Sequence, residues 1–203
     1  SLRACYHAVI KVWYTLRMRD FTIVFVHGTG GPDADWLPSI GEEMKRRHVS
    51  FEIPALPTTI PIQVDDWING LHKTVSNIRG PIIFVGYSLG TRAVLLYLEK
   101  YKTKVDHIFL VAAFSNDTKN TKMESGEYSS FFTAKIDTGT IRKNVSKITI
   151  LHSEDDWCIP YNQAVELSKE IDAELISYKN KGHFIDPGCS KDILKVLVNR
   201  LEI

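Results

Sequence analysis

Cysteine is scarce in this chain of 203 residues, which has only Cys5, Cys158 and Cys189. These residues lie far apart, and no C-x-x-C pair or Cys/His ligand spacing accompanies them. The pattern therefore predicts neither a disulfide framework nor a zinc site, and we expect no bound metal. Because separated, unpaired cysteines are typical of reduced thiols, we expect a cytoplasmic protein.

An excess of charge of one sign is also lacking. The 25 lysines and arginines nearly balance the 24 acidic residues, for a formal net charge of +1. The basic residues are scattered and form no stripe that could follow a phosphate backbone, so we expect no nucleic-acid partner. No apolar run approaches the length of a membrane-spanning helix, so we expect no membrane span.

The N-terminal stretch, residues 1–20, has few features that can be interpreted. Basic residues interrupt its apolar runs, and it lacks the apolar segment and cleavage site of a secretory signal. Two alternatives stay open. Residues 1–17 are either a short amphipathic helix or a non-native extension that precedes a native start at Met18.

A nucleotide-binding loop is missing too. The first glycine-rich turn, G-T-G-G-P from Gly28 to Pro32, has neither the G-x-G-x-x-G pattern nor the G-K-[ST] ending of phosphate loops. We therefore expect no cofactor.

What the chain does have is a globular composition, with 44% apolar and 24% charged residues. A chain of this length buries roughly 70% of its unfolded surface, which is enough for a hydrophobic core without disulfides or metals. We expect a single domain over residues 18–203.

Strand-like and helical patterns alternate along this domain. The predicted strands are 22–27, 82–87, 107–114, 147–152 and 174–178, a further apolar stretch covers 49–53, and the predicted helices are 36–44, 64–75, 88–101, 161–171 and 191–201. This order predicts a three-layer α/β/α sandwich with a mostly parallel sheet, in which functional residues gather at the carboxyl ends of the strands. The polar stretch 115–144 interrupts the alternation, and we expect a long loop there.

The sequence G-Y-S-L-G, from Gly86 to Gly90, joins a predicted buried strand to a predicted buried helix. This is the context of a nucleophile elbow, a strained turn that presents a serine above a helix N-terminus. Glycines two residues before and after Ser88 suit such a turn, because a Cβ there would collide with the neighbouring strand or helix. The alternative is an ordinary loop in which Ser88 caps the helix.

A nucleophilic serine needs a base and an acid that orients the base. In α/β-hydrolases these follow in the order serine, acid, histidine, on loops after later strands. We predict His183, in K-G-H-F, as the base and Asp156, in S-E-D-D-W-C-I-P, as the acid. Asp156 is favoured because its spacing to Pro160 resembles the D-x-x-[VI]-P loop of α/β-hydrolases, and Asp155 is the alternative acid. For the oxyanion hole we predict the backbone N–H groups of Leu89 and Thr29.

Together these motifs resemble the small α/β-hydrolases of the retinoblastoma-binding protein nine and YdeN-like serine hydrolase family. The resemblance rests on V-H-G-T-G-G, D-W-L-P, G-Y-S-L-G, S-E-D-D-W-C-I-P and K-G-H-F, and it covers roughly residues 18–203. It implies a compact α/β-hydrolase fold without a large cap domain and activity on small ester or amide substrates. The chain has no L-x-C-x-E motif, so the resemblance does not extend to a retinoblastoma-protein partner.

Two hypotheses about function follow. The first is a serine hydrolase, esterase-like, that acts on a small-molecule acyl substrate, with Trp36 and Trp157 as the first candidates for the substrate pocket. The second is a protein-interaction module on the same scaffold, with the stretch 115–144 as its docking surface.

Overall fold

The computed structural model describes residues 21–115, 126–133 and 135–203. The two alternatives for residues 1–17 lie outside this range, as does part of the stretch 115–144. Within it the strands are β1 (Thr22–Val26), β2 (Ser50–Glu52), β3 (Ile82–Tyr87), β4 (Val105–Val111), β5 (Val145–Ser153) and β6 (Glu174–Tyr178). They form a six-stranded sheet in the order β2-β1-β3-β4-β5-β6, and each of these pairings is parallel. The predicted mostly parallel sheet is therefore confirmed.

Helices connect these strands and cover the sheet. The α-helices are α1 (Leu37–Arg46), α2 (Val64–Ser76), α3 (Leu89–Tyr101), α4 (Thr138–Asn144), α5 (Tyr161–Glu170) and α6 (Ser190–Leu201), and 3-10 helices cover Gly126–Phe132 and Pro187–Cys189. All residues of β3 are buried, and since neighbouring side chains on a strand point to opposite faces, both faces of the sheet are covered. Helix α1 packs on α6, whereas α3 packs on α2 and α4.

Strand β4 differs from its prediction. It covers Val105–Val111 rather than 107–114. The apolar run continues to Phe114, but Ala112 has a φ of 53°, a left-handed conformation that ends the strand. Residues 112–114 are nevertheless buried, so their hydrophobicity reflects a buried loop rather than a longer strand.

The stretch 115–144 is not a loop throughout, because the 3-10 helix at Gly126–Phe132 and helix α4 lie within it. Helix α4 starts after Asp137, whose carboxylate accepts hydrogen bonds from the N–H groups of Gly139 and Thr140. This is the cap that a helix N-terminus prefers, and D-T-G-T was the signal that could have revealed the helix. Among the residues that the structure describes, no separate cap domain covers the carboxyl edge of the sheet.

Candidate active site

The turn between β3 and α3 places Ser88 at the carboxyl edge of the sheet. Ser88 has φ 51° and ψ −121°, a strained backbone conformation for a residue with a side chain. A Cβ on Gly86 would lie 2.8 Å from Thr91 Cα, and a Cβ on Gly90 would run into the carbonyl oxygens of Val26 and His27. The two glycines therefore let the strand, the turn and the helix approach closely, as the elbow prediction requires.

The side chain of Ser88 does not cap helix α3, although the residue holds the N-cap position. Its Oγ instead lies 2.9 Å from Nε2 of His183. The helix-cap alternative therefore does not describe this serine.

His183 lies on the loop after β6, and the buried Tyr87 fixes its backbone. The Tyr87 hydroxyl donates a hydrogen bond of 2.8 Å to the carbonyl oxygen of His183. Burial raises the pKa of Tyr87, so the phenol stays a protonated donor. Tyr87 is the second residue of G-Y-S-L-G, and the motif itself gave no signal of this contact.

Asp156 contacts the other side of the His183 ring. Its Oδ2 lies 2.9 Å from His183 Nδ1, and its side chain is 0% exposed. Its Oδ1 accepts hydrogen bonds of 2.8 Å and 2.9 Å from the backbone N–H groups of Cys158 and Ile159. These donors hold the carboxylate in one orientation.

Asp155, the alternative acid, contacts the loop that carries His183 rather than the imidazole. Its Oδ1 accepts hydrogen bonds from the backbone N–H groups of Lys181 (3.2 Å) and Gly182 (3.0 Å), and from the Ser153 hydroxyl. The Ser153 hydrogen bond has the largest effect and lowers the pKa of Asp155; burial opposes it, and the backbone N–H groups of Gly182 and Lys181 lower the pKa further. The two neighbouring aspartates thus occupy different positions, one on the histidine ring and one on its loop.

The surroundings of His183 favour its charged form. Burial by itself lowers the pKa of the imidazole, but the hydrogen bond to Asp156, the contact with the Cys158 thiol and the charge of Asp156 outweigh burial and raise the pKa to about 9. The arrangement stabilises an imidazolium, the species that forms when a histidine accepts a proton from a serine.

The predicted oxyanion donors belong to segments that adjoin Ser88. A Cβ on Gly28 would be 3.1 Å from Ser88 Cβ, so the glycine-rich turn that carries Thr29 packs directly against the serine. Leu89 is the first residue of α3, where backbone N–H groups have no partner within the helix. Both N–H groups remain predictions as oxyanion donors.

The two candidate pocket tryptophans have opposite environments. Trp36 is 0% exposed and packs edge-on against Phe25 and Tyr87 in the hydrophobic core. Trp157 is 70% exposed, and its ring lies edge-on to the His183 ring at 5.8 Å between centroids. Trp157 is therefore open to solvent, whereas Trp36 lies within the core.

Arg92 is a buried residue that the sequence patterns did not single out. It lies on α3, one turn after Ser88, and its Nε donates a hydrogen bond of 2.6 Å to the carbonyl oxygen of Phe131. Its guanidinium lies 4.9 Å from the centroid of the Phe132 ring. Arg92 thus attaches the 3-10 helix at Gly126–Phe132 to the helix that follows Ser88.

Two further observations concern the described residues only. They contain no cluster of three or more His, Cys, Asp and Glu side chains arranged to hold a metal ion. None of their helices is long and apolar enough to cross a membrane.

The architecture and the position of the site define an α/β-hydrolase fold. A family model described as serine hydrolase matches residues 23–189, and the chain belongs to this family. The resemblance predicted from the motifs is therefore confirmed.

Two relatives match most of the chain. Serine hydrolase RBBP9 of Rattus norvegicus is 28% identical over 166 residues, which are 79% of this chain and 86% of the relative. YdeN of Bacillus subtilis (strain 168) is 23% identical over 167 residues, which are 81% of this chain and 86% of the relative.

Solved structures show the same fold. The crystal structure of YdeN from B. subtilis superposes on this chain with a TM-score of 0.78 at 21% sequence identity. The superposition covers 90% of this chain and 99% of the YdeN chain. Est1E from Butyrivibrio proteoclasticus superposes with a TM-score of 0.68 at 13% sequence identity, and the superposition covers 89% of this chain and 87% of the Est1E chain.

Proposed function

We propose that this serine hydrolase cleaves small ester or amide substrates through Ser88, His183 and Asp156, with an acyl-enzyme intermediate. The observation that carries the proposal is one continuous hydrogen-bonded chain. Ser88 Oγ lies 2.9 Å from His183 Nε2, and His183 Nδ1 lies 2.9 Å from Asp156 Oδ2. These distances are within the reach that proton transfer from a serine to a general base requires.

The first half of the proposed reaction acylates the serine. Ser88 Oγ attacks the carbonyl carbon of the substrate while His183 Nε2 accepts the hydroxyl proton. Asp156 accepts a hydrogen bond from His183 Nδ1–H and stabilises the imidazolium. The N–H groups of Leu89 and Thr29 donate to the oxyanion, and loss of one such donor typically costs about 3 kcal/mol of transition-state stabilisation.

The second half releases the acid and regenerates the site. The alcohol or amine leaves with the proton that His183 Nε2 donates, and the acyl group stays on Ser88 Oγ. A water molecule then gives a proton to His183 and attacks the acyl carbon. Collapse of this second tetrahedral intermediate returns the proton from His183 to Ser88 Oγ.

We further propose that the substrate carries an apolar or aromatic group. The exposed large hydrophobic side chains of the described residues are Trp157 (70% exposed), Ile185 (51%) and Ile60 (49%). Trp157 follows Asp156 directly, and Ile185 lies two residues after His183. Apolar side chains that face water beside reactive groups favour an apolar ligand. Because Est1E has been solved with ferulic acid bound, aromatic esters belong in the first substrate panel.

The hydrogen-bonded chain favours catalysis over the interaction-module alternative. A docking surface gains nothing from a histidine aligned between a serine and a buried carboxylate, whereas acyl transfer needs this alignment. We also propose a cytoplasmic location, which the free thiols of Cys158 and Cys189 support. Fractionation of cells that express the native protein tests this location.

Ester turnover tests the proposed reaction. Purified wild-type protein is expected to hydrolyse p-nitrophenyl acetate and butyrate, and Ser88→Ala is expected to lose this turnover. Ser76→Ala is the matched control, because Ser76 lies at the exposed end of α2, where its hydroxyl donates to the His72 carbonyl oxygen. Turnover that survives in Ser88→Ala would contradict the proposal, as would a folded wild-type protein that hydrolyses no ester or amide in a broad panel.

A further inference from the structure

A second histidine, His152, lies next to the carboxylate of Asp156. It is the penultimate residue of β5 and is 0% exposed. Its Nε2 lies 3.0 Å from the carbonyl oxygen of Ile159 and 3.4 Å from Oδ2 of Asp156. Oδ2 of Asp156 therefore lies between two imidazoles, those of His152 and His183.

The contacts of His152 determine its tautomer. A carbonyl oxygen only accepts hydrogen bonds, so Nε2 of His152 must carry the proton that Ile159 accepts. Its Nδ1 is buried and has no hydrogen-bond partner among the described residues. Burial lowers the pKa of His152 against the raising effects of Ile159 and Asp156. Neutral His152 with Nε2–H is the form that matches these surroundings, because a second N–H at Nδ1 would be buried without an acceptor.

His152 and Asp156 together hold Ile159 from both sides. The N–H of Ile159 donates to Asp156 Oδ1 at 2.9 Å, and its carbonyl oxygen accepts from His152 Nε2 at 3.0 Å. Ile159 closes the loop that begins at the end of β5 and carries Asp156. Strand β5 thus fixes both ends of this loop. The start of the loop continues directly from the strand, and its end, Ile159, accepts a hydrogen bond from the His152 side chain. The ring of Tyr161, edge-on at 6.1 Å, completes the surroundings of the imidazole.

We propose that His152 is a positioning residue that holds the Asp156 loop, and with it the carboxylate, in the orientation that pairs with His183. The proposal rests on the proposed function, since it assigns a role within that hydrogen-bonded chain. His152 does not touch the substrate. It acts through the hydrogen bond to Ile159 and, more weakly, through the longer contact with Asp156 Oδ2.

Two amide variants separate positioning from packing. In His152→Gln the terminal amide nitrogen reaches the place of Nε2 and can donate to Ile159, whereas in His152→Asn the side chain is one methylene shorter and reaches only the place of Nδ1. We expect His152→Asn to lower kcat about fivefold, the scale of one lost net hydrogen bond, with little change in KM. His152→Gln should keep most of kcat.

The pH profile supplies a readout that a packing defect would not move. The loosened Asp156 stabilises the His183 imidazolium less, so the acid limb of kcat/KM should move to lower pH in His152→Asn and stay near wild type in His152→Gln. His152→Asn loses both the hydrogen bond to Ile159 and the longer contact with Asp156 Oδ2. We expect the first loss to affect the pKa of His183 more than the second. An acid limb that stays in place while only thermal stability falls would overturn the proposal, and so would a limb that moves to higher pH.

A proton NMR measurement keeps this proposal separate from the proposed function. A histidine N–H that donates to a buried carboxylate gives a low-field resonance, and its titration can be followed without any substrate. We expect this His183 signal to weaken in His152→Asn and to persist in His152→Gln. If wild type hydrolyses no ester or amide, the proposed reaction fails, whereas the NMR comparison still decides the role of His152. If His152→Asn does not fold, His152→Leu replaces it, and identical His183 signals in the Leu, Gln and wild-type proteins would overturn the proposal.

Discussion

Replacing Asp156 by asparagine changes a buried carboxylate oxygen into an amide nitrogen without changing the shape of the side chain. The N–H groups of Cys158 and Ile159 both point at Oδ1. They need an acceptor, so in Asp156→Asn the amide oxygen must stay there and the NH₂ group must take the place of Oδ2. That NH₂ group then faces Nδ1 of His183.

The consequence is a change of tautomer at His183. The new NH₂ donor requires an acceptor at Nδ1, so the proton of the neutral imidazole moves to Nε2, which faces Ser88. Nε2–H cannot accept the serine proton. The same substitution in a serine-histidine-aspartate site lowers kcat roughly 10⁴-fold, which corresponds to about 5 kcal/mol of transition-state stabilisation.

Parallel kinetics of Asp156→Asn and Asp155→Asn on p-nitrophenyl butyrate test this reasoning. Asp155→Asn is the matched control, because an asparagine Oδ1 can still accept from Lys181 and Gly182. It should lose less than tenfold in kcat. A folded Asp156→Asn that keeps more than a tenth of the wild-type kcat would contradict the change of tautomer, and so would an Asp155→Asn that loses more kcat than Asp156→Asn.

Three further predictions concern pH, packing and substrate contact. Because only neutral His183 can accept a proton and the pKa of this group is raised to about 9, kcat/KM should rise with pH, and a half-maximal value below pH 6.5 would contradict the pairing with Asp156. Gly90→Ala should lose about 3 kcal/mol or more in urea unfolding, because its Cβ meets the backbone of β1, whereas Gly41→Ala in α1 has room and should be neutral or stabilising. Trp157→Ala should raise KM for aromatic esters about fivefold while Trp157→Phe keeps it, and a wild-type KM in Trp157→Ala would remove Trp157 from the substrate site.

Much of the fold could be predicted because its signals are local. Strand β3 is a continuous apolar run between turn residues, and the structure gives it the predicted bounds, Ile82–Tyr87. Helix α2 starts at Val64, the first apolar residue of its periodic pattern. Strands such as β3 are buried on both faces of the sheet, so their sequences are apolar throughout.

The predictions that differed depended on contacts between distant parts of the chain. The apolar run Ala112–Phe114 belongs to a buried loop, and only the left-handed φ of Ala112 separates it from β4. Trp36 follows the glycine-rich turn closely in sequence, yet it packs against Phe25 and Tyr87 in the core. No periodic pattern in the sequence indicates the buried loop or the core position of Trp36.

The candidate site shows the same division. The elbow glycines, Gly86 and Gly90, could be predicted because the G-x-S-x-G motif marks the turn, although the backbone that crowds Gly90 lies at the end of β1. The contacts of Asp155 and His152 could not, because each depends on how one loop closes against another. His152 belongs to no motif. It lies next to Asp156 because the loop after β5 folds back and places Ile159 against the His152 side chain.

Covalent labelling tests directly whether Ser88 is the nucleophile of a serine hydrolase. Purified wild-type protein is incubated with a fluorophosphonate probe, and the modified peptide is mapped by mass spectrometry, with Ser88→Ala and Ser76→Ala treated in parallel. We expect one label on Ser88 in wild type and in Ser76→Ala, and none in Ser88→Ala. A folded wild-type protein that stays unlabelled at Ser88, or a label that persists in Ser88→Ala, would contradict this role of Ser88.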